Sequence, residues 1–473
     1  MAPLILITGA NGYIASRLVP RLLQQGYRVR ALAREPLRLA GRTWLSQVEV
    51  VRGSARDASS LGRALEGVDT AYYLIHNMAS GRGYTEVEKE SARLFAEAAD
   101  EAQVGHIVYL GGLADPKAPN LAPHMRSRIE TGEVLRRGRV PVTEFRAGVI
   151  VGAGSISFEM IRFLTECFPV LPGPSWLRNA CQPIAASNVV DYLTAAIERP
   201  EARDGVYEMG GPDRMSYGET MLRYAQTRGL KRLLFTVPGI PIRFMARFVD
   251  WLTPVPFPIA TALVGGLQSD SVVLEDKAPR VFPEIHLIPY EDALRIALGD
   301  LTPSRLERVW EGFGRNAVRM KHEGFFIDYR RQDVGACPEN VFASLRRMGG
   351  EEGWPYADWL WRLRGWLDTL VGPLGRRTPQ NRRTPSGERV DFYRVEANEA
   401  PRLLRLRSEL RAPGKGWMEW RVEPHGEGSI LTQTAFFAPR GFPGFAYWFL
   451  LGPVHTVVFR GLLRALKGQA ESQ

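Results

Sequence analysis

Two glycines, Gly9 and Gly12, stand in the stretch Thr8-Gly9-Ala10-Asn11-Gly12-Tyr13-Ile14-Ala15, with Ala15 in the third place of the same spacing. Without Cβ, a chain built this way turns sharply and brings its N–H groups against a pyrophosphate. The third place needs only a small residue for close packing, which alanine satisfies. In NAD-binding chains an acidic side chain about 20 residues further on accepts bonds from the ribose 2′-OH. Here the chain reads Ala31-Leu32-Ala33-Arg34. Arg34 can make bidentate, charge-assisted bonds to a 2′-phosphate, which favours NADP(H) over NAD. Glu35 beside it speaks for the other coenzyme, and a solvated loop arginine is the plain alternative.

Such a turn works only between a strand and a helix. Leu4-Ile5-Leu6-Ile7 is a branched apolar run too short for a helix and reads as a strand buried on both faces. Leu18, Leu22 and Leu23 give the next helix an apolar face, Gly26 ends it, and Tyr27 to Leu32 reads as a second strand. Val48 to Val51, Thr70 to His76, Ile107 to Leu110 and Val142 to Val151 read as further strands. Between them lie helical patterns through Leu61 and Leu65, from Thr85 to Ala102, and from His124 to Arg136. The alternation predicts an α/β fold with a doubly wound parallel Rossmann sheet, its ligands at the carboxyl ends of the strands.

At 473 residues the chain is too long for one ordinary domain. Hydrophobic residues at 45 % and charged ones at 24 % are the proportions of a soluble globular protein. The net charge of +10 invites a nucleic-acid reading, but the excess is nearly all arginine and no basic helix with interleaved aromatics occurs. No nucleic-acid partner is expected. Cys167, Cys181 and Cys337 lie far apart, with no metal-ligand or disulfide spacing, and fit a reducing cytoplasm. The chain enters a strand almost at once, without a basic start and cleavage site, so no secretory signal is expected.

Over roughly residues 1–300 the chain resembles extended and atypical short-chain dehydrogenases/reductases. The resemblance rests on Thr8 to Ala15, Asp57, Tyr73-Leu74-Ile75-His76, Val108-Tyr109-Leu110-Gly111-Gly112 and Phe145-Arg146-Ala147-Gly148-Val149-Ile150-Val151-Gly152. Pro183 to Val189 and Val206 to Gly211 continue it. It implies that Thr8, Gly9, Asn11, Gly12, Tyr13 and Ile14 hold the cofactor. It also implies that Asp57 meets the adenine and that Leu74, Ile75 and His76 pass the nicotinamide-side ribose. Asp57 reads equally well as a cap for the helix that follows. The departures concern chemistry. The family's serine after the fifth strand is replaced by Gly111-Gly112, and its Tyr-x-x-x-Lys by His124-Met125-Arg126-Ser127-Arg128. His124 and Arg128, at i and i+4, share a helix face. Histidine can serve as a proton donor and arginine as a fixed cation, though it cannot deprotonate. A role for both in cofactor binding or in capping the site is the alternative. Stretches rich in aromatics and prolines, about 157–180 and 213–280, read as a small substrate lobe suited to a hydrophobic ligand, or as ordinary packing.

After a linker at about 301–320, residues 321–473 change grammar. Phe325 to Gln332 reads as a strand, Pro338 to Met348 and Tyr356 to Leu370 as helices, and Gly375 to Arg389 as a basic loop. Four β runs follow, Val390 to Val395, Leu403 to Leu410, Gly416 to Val422 and Ser429 to Phe437, and then an apolar helix from Gly444 to Leu466. This order resembles the α+β helix-grip architecture of START-like and polyketide-cyclase-like proteins, and the uncharacterised domain fused behind atypical short-chain dehydrogenases. The run Phe442 to Phe459 is too interrupted by glycine and proline for a membrane span, though peripheral membrane contact fits it. The leading expectation is an NADP(H)-dependent oxidoreductase of a hydrophobic carbonyl or enone, cytoplasmic with room for membrane association, with no metal site and an oligomeric state left open. The alternatives are a non-catalytic NADP(H) holder, like the complex I accessory subunit that also lacks the Tyr/Lys pair, and an apolar-ligand module.

Overall fold

The computed structural model describes residues 2–473 except 40–41, 77–82, 254, 256, 305, 307–316, 323, 350–351, 371–388 and 411. The chain forms two compact units, 1–310 and 311–473.

In the first unit, strands β1 (Leu4–Ile7), β2 (Arg28–Ala33), β3 (Glu49–Arg52), β4 (Thr70–Tyr73), β5 (His106–Gly112) and β6 (Val142–Ala147) join a last strand, Val206–Met209. They lie in the order last–β6–β5–β4–β1–β2–β3, every neighbouring pair parallel. The strand period of two is visible in β1: Ile5 and Ile7 join one apolar cluster, Leu4 and Leu6 the other. The first cluster takes Leu18, Val19 and Leu22 from helix α1 (Tyr13–Gln24); the second takes Leu61 from α2 (Ala58–Leu65), Phe95 from α3 (Tyr84–Glu101) and Leu135 from α4 (Pro123–Arg136). Helices on both faces confirm the doubly wound sheet.

Two strands are shorter than their apolar runs suggest. β4 stops at Tyr73, and Leu74 to His76 leave the sheet as loop. β6 stops at Ala147; Ile150–Val151 resumes by pairing with Ile184–Ala185. Between them Gly148 passes so close to Ser271 that a Cβ there would lie 2.7 Å from its Oγ. Helix α6 (Ala186–Ala195) puts Val189, Tyr192 and Leu193 into the first cluster beside α1, and the unit also contains α5 (Ile156–Cys167), α7 (Tyr217–Thr227), α8 (Ile242–Leu252) and α9 (Phe257–Gly266). Met160, Ala246, Val249, Ala260 and Val264 form a separate small core that joins α5, α8 and α9.

The second unit is a seven-stranded antiparallel sheet in the order Ala317–His322, Phe325–Val334, Gly428–Pro439, Gly414–His425, Leu403–Ser408, Tyr393–Glu399, Arg389–Val390. Leu404, Met418, Trp420, Val422 and Leu431 from the sheet pack with Val341 and Phe342 of helix Pro338–Arg346 and with Leu462, Leu463 and Leu466 of helix Gly452–Glu471. Two features differ from the sequence reading and a third lies almost wholly outside the described residues. The strand Ala317–His322 begins inside the expected linker. The closing helix is two helices, Gly441–Leu450 and Gly452–Glu471, bent by 57°. The basic loop expected at Gly375 to Arg389 falls outside the described residues, except that Arg389 begins a strand.

Candidate active site

The carboxyl ends of β1, β2, β3 and β4 open on a cleft lined by Gly9, Asn11, Gly12, Ala33, Arg34, Arg56 and His76, among others. Gly9 is indispensable to its floor. Its φ of +65° is one that L side chains avoid, and a Cβ would lie 2.6 Å from the Leu74 carbonyl oxygen. Gly12 donates its N–H to the Gly9 carbonyl at 2.8 Å and begins α1, whose first turn has no side-chain cap. Helix N–H groups and the positive end of the helix dipole therefore face the cleft where Gly9, Asn11 and Gly12 leave room. Ala15 is buried at 1 % exposure, as close helix–sheet packing requires.

Thr8 stands below this floor. Its hydroxyl donates to the Tyr72 carbonyl at 2.8 Å and accepts from the Leu74 N–H at 3.2 Å, so it ties β1 to the loop that leaves β4. Tyr13 and Ile14 begin α1 outside the lining; the Arg17 guanidinium stacks 3.8 Å from the centroid of the Tyr13 ring, and Ile14 packs on the core. Leu74, Ile75 and His76 do line the cleft.

At the far edge, Arg34 and Arg56 are exposed, and neither makes an ion pair among the described residues. Glu35 is engaged: the Arg38 Nε lies 3.0 Å from its carboxylate. Asp57 caps α2, its carboxylate accepting the Ser59 and Ser60 N–H groups at 3.3 and 3.2 Å. The Ser60 and Ser59 hydrogen bonds hold its carboxyl below the usual value. Asp57 itself is not in the lining, whose segment after β3 runs from Gly53 to Arg56. Arg38, Ser54 and Arg56 were not singled out from sequence. Arg56 lies four residues beyond β3, and only the pairing of β3 with β2 brings it to the cleft.

His124 and Arg128 diverge along α4. Arg128 donates from Nη2 to His76 Nε2 at 2.9 Å and reaches the Leu110 carbonyl at 3.4 Å. Its Nε is buried with no hydrogen-bond partner among the described residues. His124 is 4 % exposed and packs against Gly266 of α9, outside the cleft lining. Burial first, and then the Arg128 charge, pushes His124 down to about 4, and the same two causes hold His76 well below its usual value. Both rings are neutral near pH 7. Gly112 touches the same group, since a Cβ there would lie 2.7 Å from Met125 Cε and 3.2 Å from Arg128 Cδ. No cluster of metal-ligating side chains occurs among the described residues.

The residues fit a dinucleotide: an uncapped helix start behind glycines, two guanidiniums beyond the β2 and β3 ends that make no ion pair among the described residues, and at the other side His76, with Arg128 behind it and outside the lining. Residues 9–137 match the model of the family described as NAD(P)H-binding, and residues 322–462 match a family described as protein of unknown function (DUF2867). The chain is similar to (4-alkanoyl-5-oxo-2,5-dihydrofuran-3-yl)methyl phosphate reductase of Streptomyces griseus, 31 % identical over 274 residues, with 55 % of this chain and 85 % of that protein covered. It is also similar to ceramide reductase of Caulobacter vibrioides, 27 % identical over 251 residues, with 52 % and 77 % covered. Among solved structures, triphenylmethane reductase of Citrobacter sp. superposes with a TM-score of 0.52 at 17 % identity, covering 62 % of this chain and 99 % of that one. A structure of the same reductase complexed with NADP(H) superposes at 0.51 with 19 % identity and the same coverage. At these identities the likeness concerns the fold.

Proposed function

The chain belongs to the NAD(P)H-binding reductase family of its Streptomyces griseus relative, and from that premise we propose that it is an NADPH-dependent reductase of a hydrophobic carbonyl or enone. The observation that carries the coenzyme choice is the β2 edge. Arg34 and Arg56 stand unpaired among the described residues at one end of the cleft, while the nearby carboxylate, Glu35, is taken by Arg38. A 2′-phosphate fits two guanidiniums; a bare 2′-OH gives them nothing to neutralise.

Gly9, Gly12 and the start of α1 hold the pyrophosphate, and Leu74, Ile75 and His76 flank the nicotinamide half. When bound, the reduced nicotinamide supplies a hydride. Arg128, behind His76 and outside the lining, supplies the fixed positive charge that favours negative charge developing on a substrate oxygen. His76, neutral, accepts from Arg128 and fixes the guanidinium plane. His124 is buried and neutral, so it donates a hydrogen bond at most, and water supplies the proton. The lobe of α5, α8 and α9 gives an apolar wall for the substrate. The second unit, a sheet carrying a long helix, is read as a helix-grip-like module that shields or presents the substrate. The wide spacing of Cys167, Cys181 and Cys337 supports a reducing, cytoplasmic setting.

NADPH oxidation followed across a panel of lipophilic ketones, aldehydes and enones should exceed the blank for at least one member. A flat response across the panel, with NADPH still bound, would favour the second reading, a protein that holds NADPH without turnover. That reading draws on the glycine pair where a catalytic serine would stand.

A further inference from the structure

Helix Gly441–Leu450 and helix Gly452–Glu471 meet at a corner of 57° in the second unit. Pro453, in the first turn of the second helix, lacks an N–H and its ring opposes the carbonyl four residues back, so the first helix cannot run through. The inner side of the corner is core, with Phe445, Val458, Phe459 and Leu462 buried. The outer side is apolar and faces water: Phe442 is 59 % exposed, Phe449 60 %, Leu450 77 % and Val457 60 %. Single exposed apolar side chains are ordinary, but a contiguous group marks an interaction surface.

Charge says what covers it. Val454, Val457, Arg460 and Arg464 follow one another at spacings of three, three and four, so they share one helix face and the apolar corner passes directly into a cationic strip. Arg460 and Arg464 are exposed and make no ion pair among the described residues. From Gly428 to Ala470 the chain contains no Asp or Glu, while Arg440, Arg460, Arg464 and Lys467 fall in that span. The neighbouring helix Asp358–Leu370 repeats the apolar part, with Trp359, Leu363 and Trp366 exposed at spacings of four and three. The two helices touch where the Arg364 guanidinium lies 5.3 Å from the Tyr447 ring centroid. Tryptophan settles at the boundary between lipid and water, and arginine pairs with phosphate. No single described helix is long and apolar enough to cross a bilayer; the two helices reach that length only as a pair bent by 57°, and Pro453 at the bend with Arg460 and Arg464 beyond it favours a surface seat over a span.

We propose that the second unit seats this bent corner in the interface of an anionic lipid bilayer, with Phe449, Leu450 and Val457 in the acyl boundary and Arg460 and Arg464 on lipid phosphates. The proposal stands independently of the cofactor assignment. The test is sedimentation of the full-length protein with vesicles of phosphatidylcholine alone and of phosphatidylcholine mixed with phosphatidylglycerol. The protein should bind the mixed vesicles at low salt and bind the neutral ones roughly tenfold or more weakly. Arg460→Ala with Arg464→Ala should weaken mixed-vesicle binding by about tenfold or more, since each such charge contributes on that scale, whereas the two Lys replacements should keep it. Phe449→Ser with Leu450→Ser should abolish it, and circular dichroism should be unchanged because all four side chains are exposed. Absence of vesicle binding by the native chain would overturn the proposal, as would binding indifferent to both double variants. A native dimer that the Phe449/Leu450 variant dissolves, without vesicle binding, would assign the corner to a second copy of the chain instead.

Discussion

Arg128 and the two imidazoles near it form one electrostatic unit. The guanidinium donates to His76, its charge reaches His124 one turn earlier, and burial adds to it in both rings. Depressing a histidine pKa on folding has a definite sign: the unfolded chain binds more protons, so stability is complete above the ordinary value of 6.5 and is lost as pH falls toward the folded value of about 4. His106, buried against Thr143, is also pushed down to about 4 and adds to the same window. Urea unfolding midpoints should therefore fall steeply between pH 6.5 and 4.5. His124→Gln should flatten that slope by on the order of 1 kcal/mol per pH unit; an unchanged slope would show that His124 titrates normally. Arg128→Ala should lower kcat by roughly 100-fold or more, as loss of a charge-stabilising donor does, with NADPH affinity changed little. Equal losses in both would make Arg128 a cofactor ligand alone. The pair was legible because an i, i+4 spacing needs no tertiary knowledge. Arg56 was not, because its place beside Arg34 depends on β3 pairing with β2.

Helix α4 acts as a ruler between the cleft and the sheet. His124, Arg128, Gly132 and Arg136 recur every fourth residue and meet three partners: Gly266, His76, and Glu144, which both Gly132 and Arg136 face. Glu144 on β6 is fully buried, held by Arg136 and by Arg146 Nε at 2.6 Å, and a Cβ at position 132 would collide with its carboxylate. Propensity and packing therefore predict opposite signs for Gly132→Ala. Helix propensity alone would stabilise by about 1 kcal/mol, whereas overpacking against a buried ion pair costs about 1–3 kcal/mol. The clash should win, lowering the denaturation midpoint; a stabilised variant would contradict this packing. Periodicity located α4 and nearly every strand of the first sheet. It overran β4 and β6, where apolar residues continue past the last ladder bond into loops shaped by Gly9 and Gly148, and it fused the two closing helices because their apolar pattern runs on through Pro453.

The molecule joins a parallel α/β unit to an antiparallel sheet unit, and the change from strand–helix alternation to successive β runs announced that join before any coordinates. The strand Ala317–His322 was missed because among the described residues it pairs only with Phe325–Val334, the next strand in the chain. The cofactor cleft was the most legible part, since a strand, a glycine turn and a helix are contiguous in the chain, whereas the apolar core proposed as the substrate wall is assembled from α5, α8 and α9 across a hundred residues. The central claim is that this cleft holds NADPH by its 2′-phosphate. Calorimetric titration of the full chain with NADPH and NADH, beside Arg34→Ala and Arg56→Ala, tests it most directly. The account predicts NADPH binding at least tenfold tighter than NADH, about 1.4 kcal/mol, with most of that difference gone in Arg34→Ala and part of it in Arg56→Ala. Equal affinity for the two coenzymes, or a preference untouched by both substitutions, would contradict it.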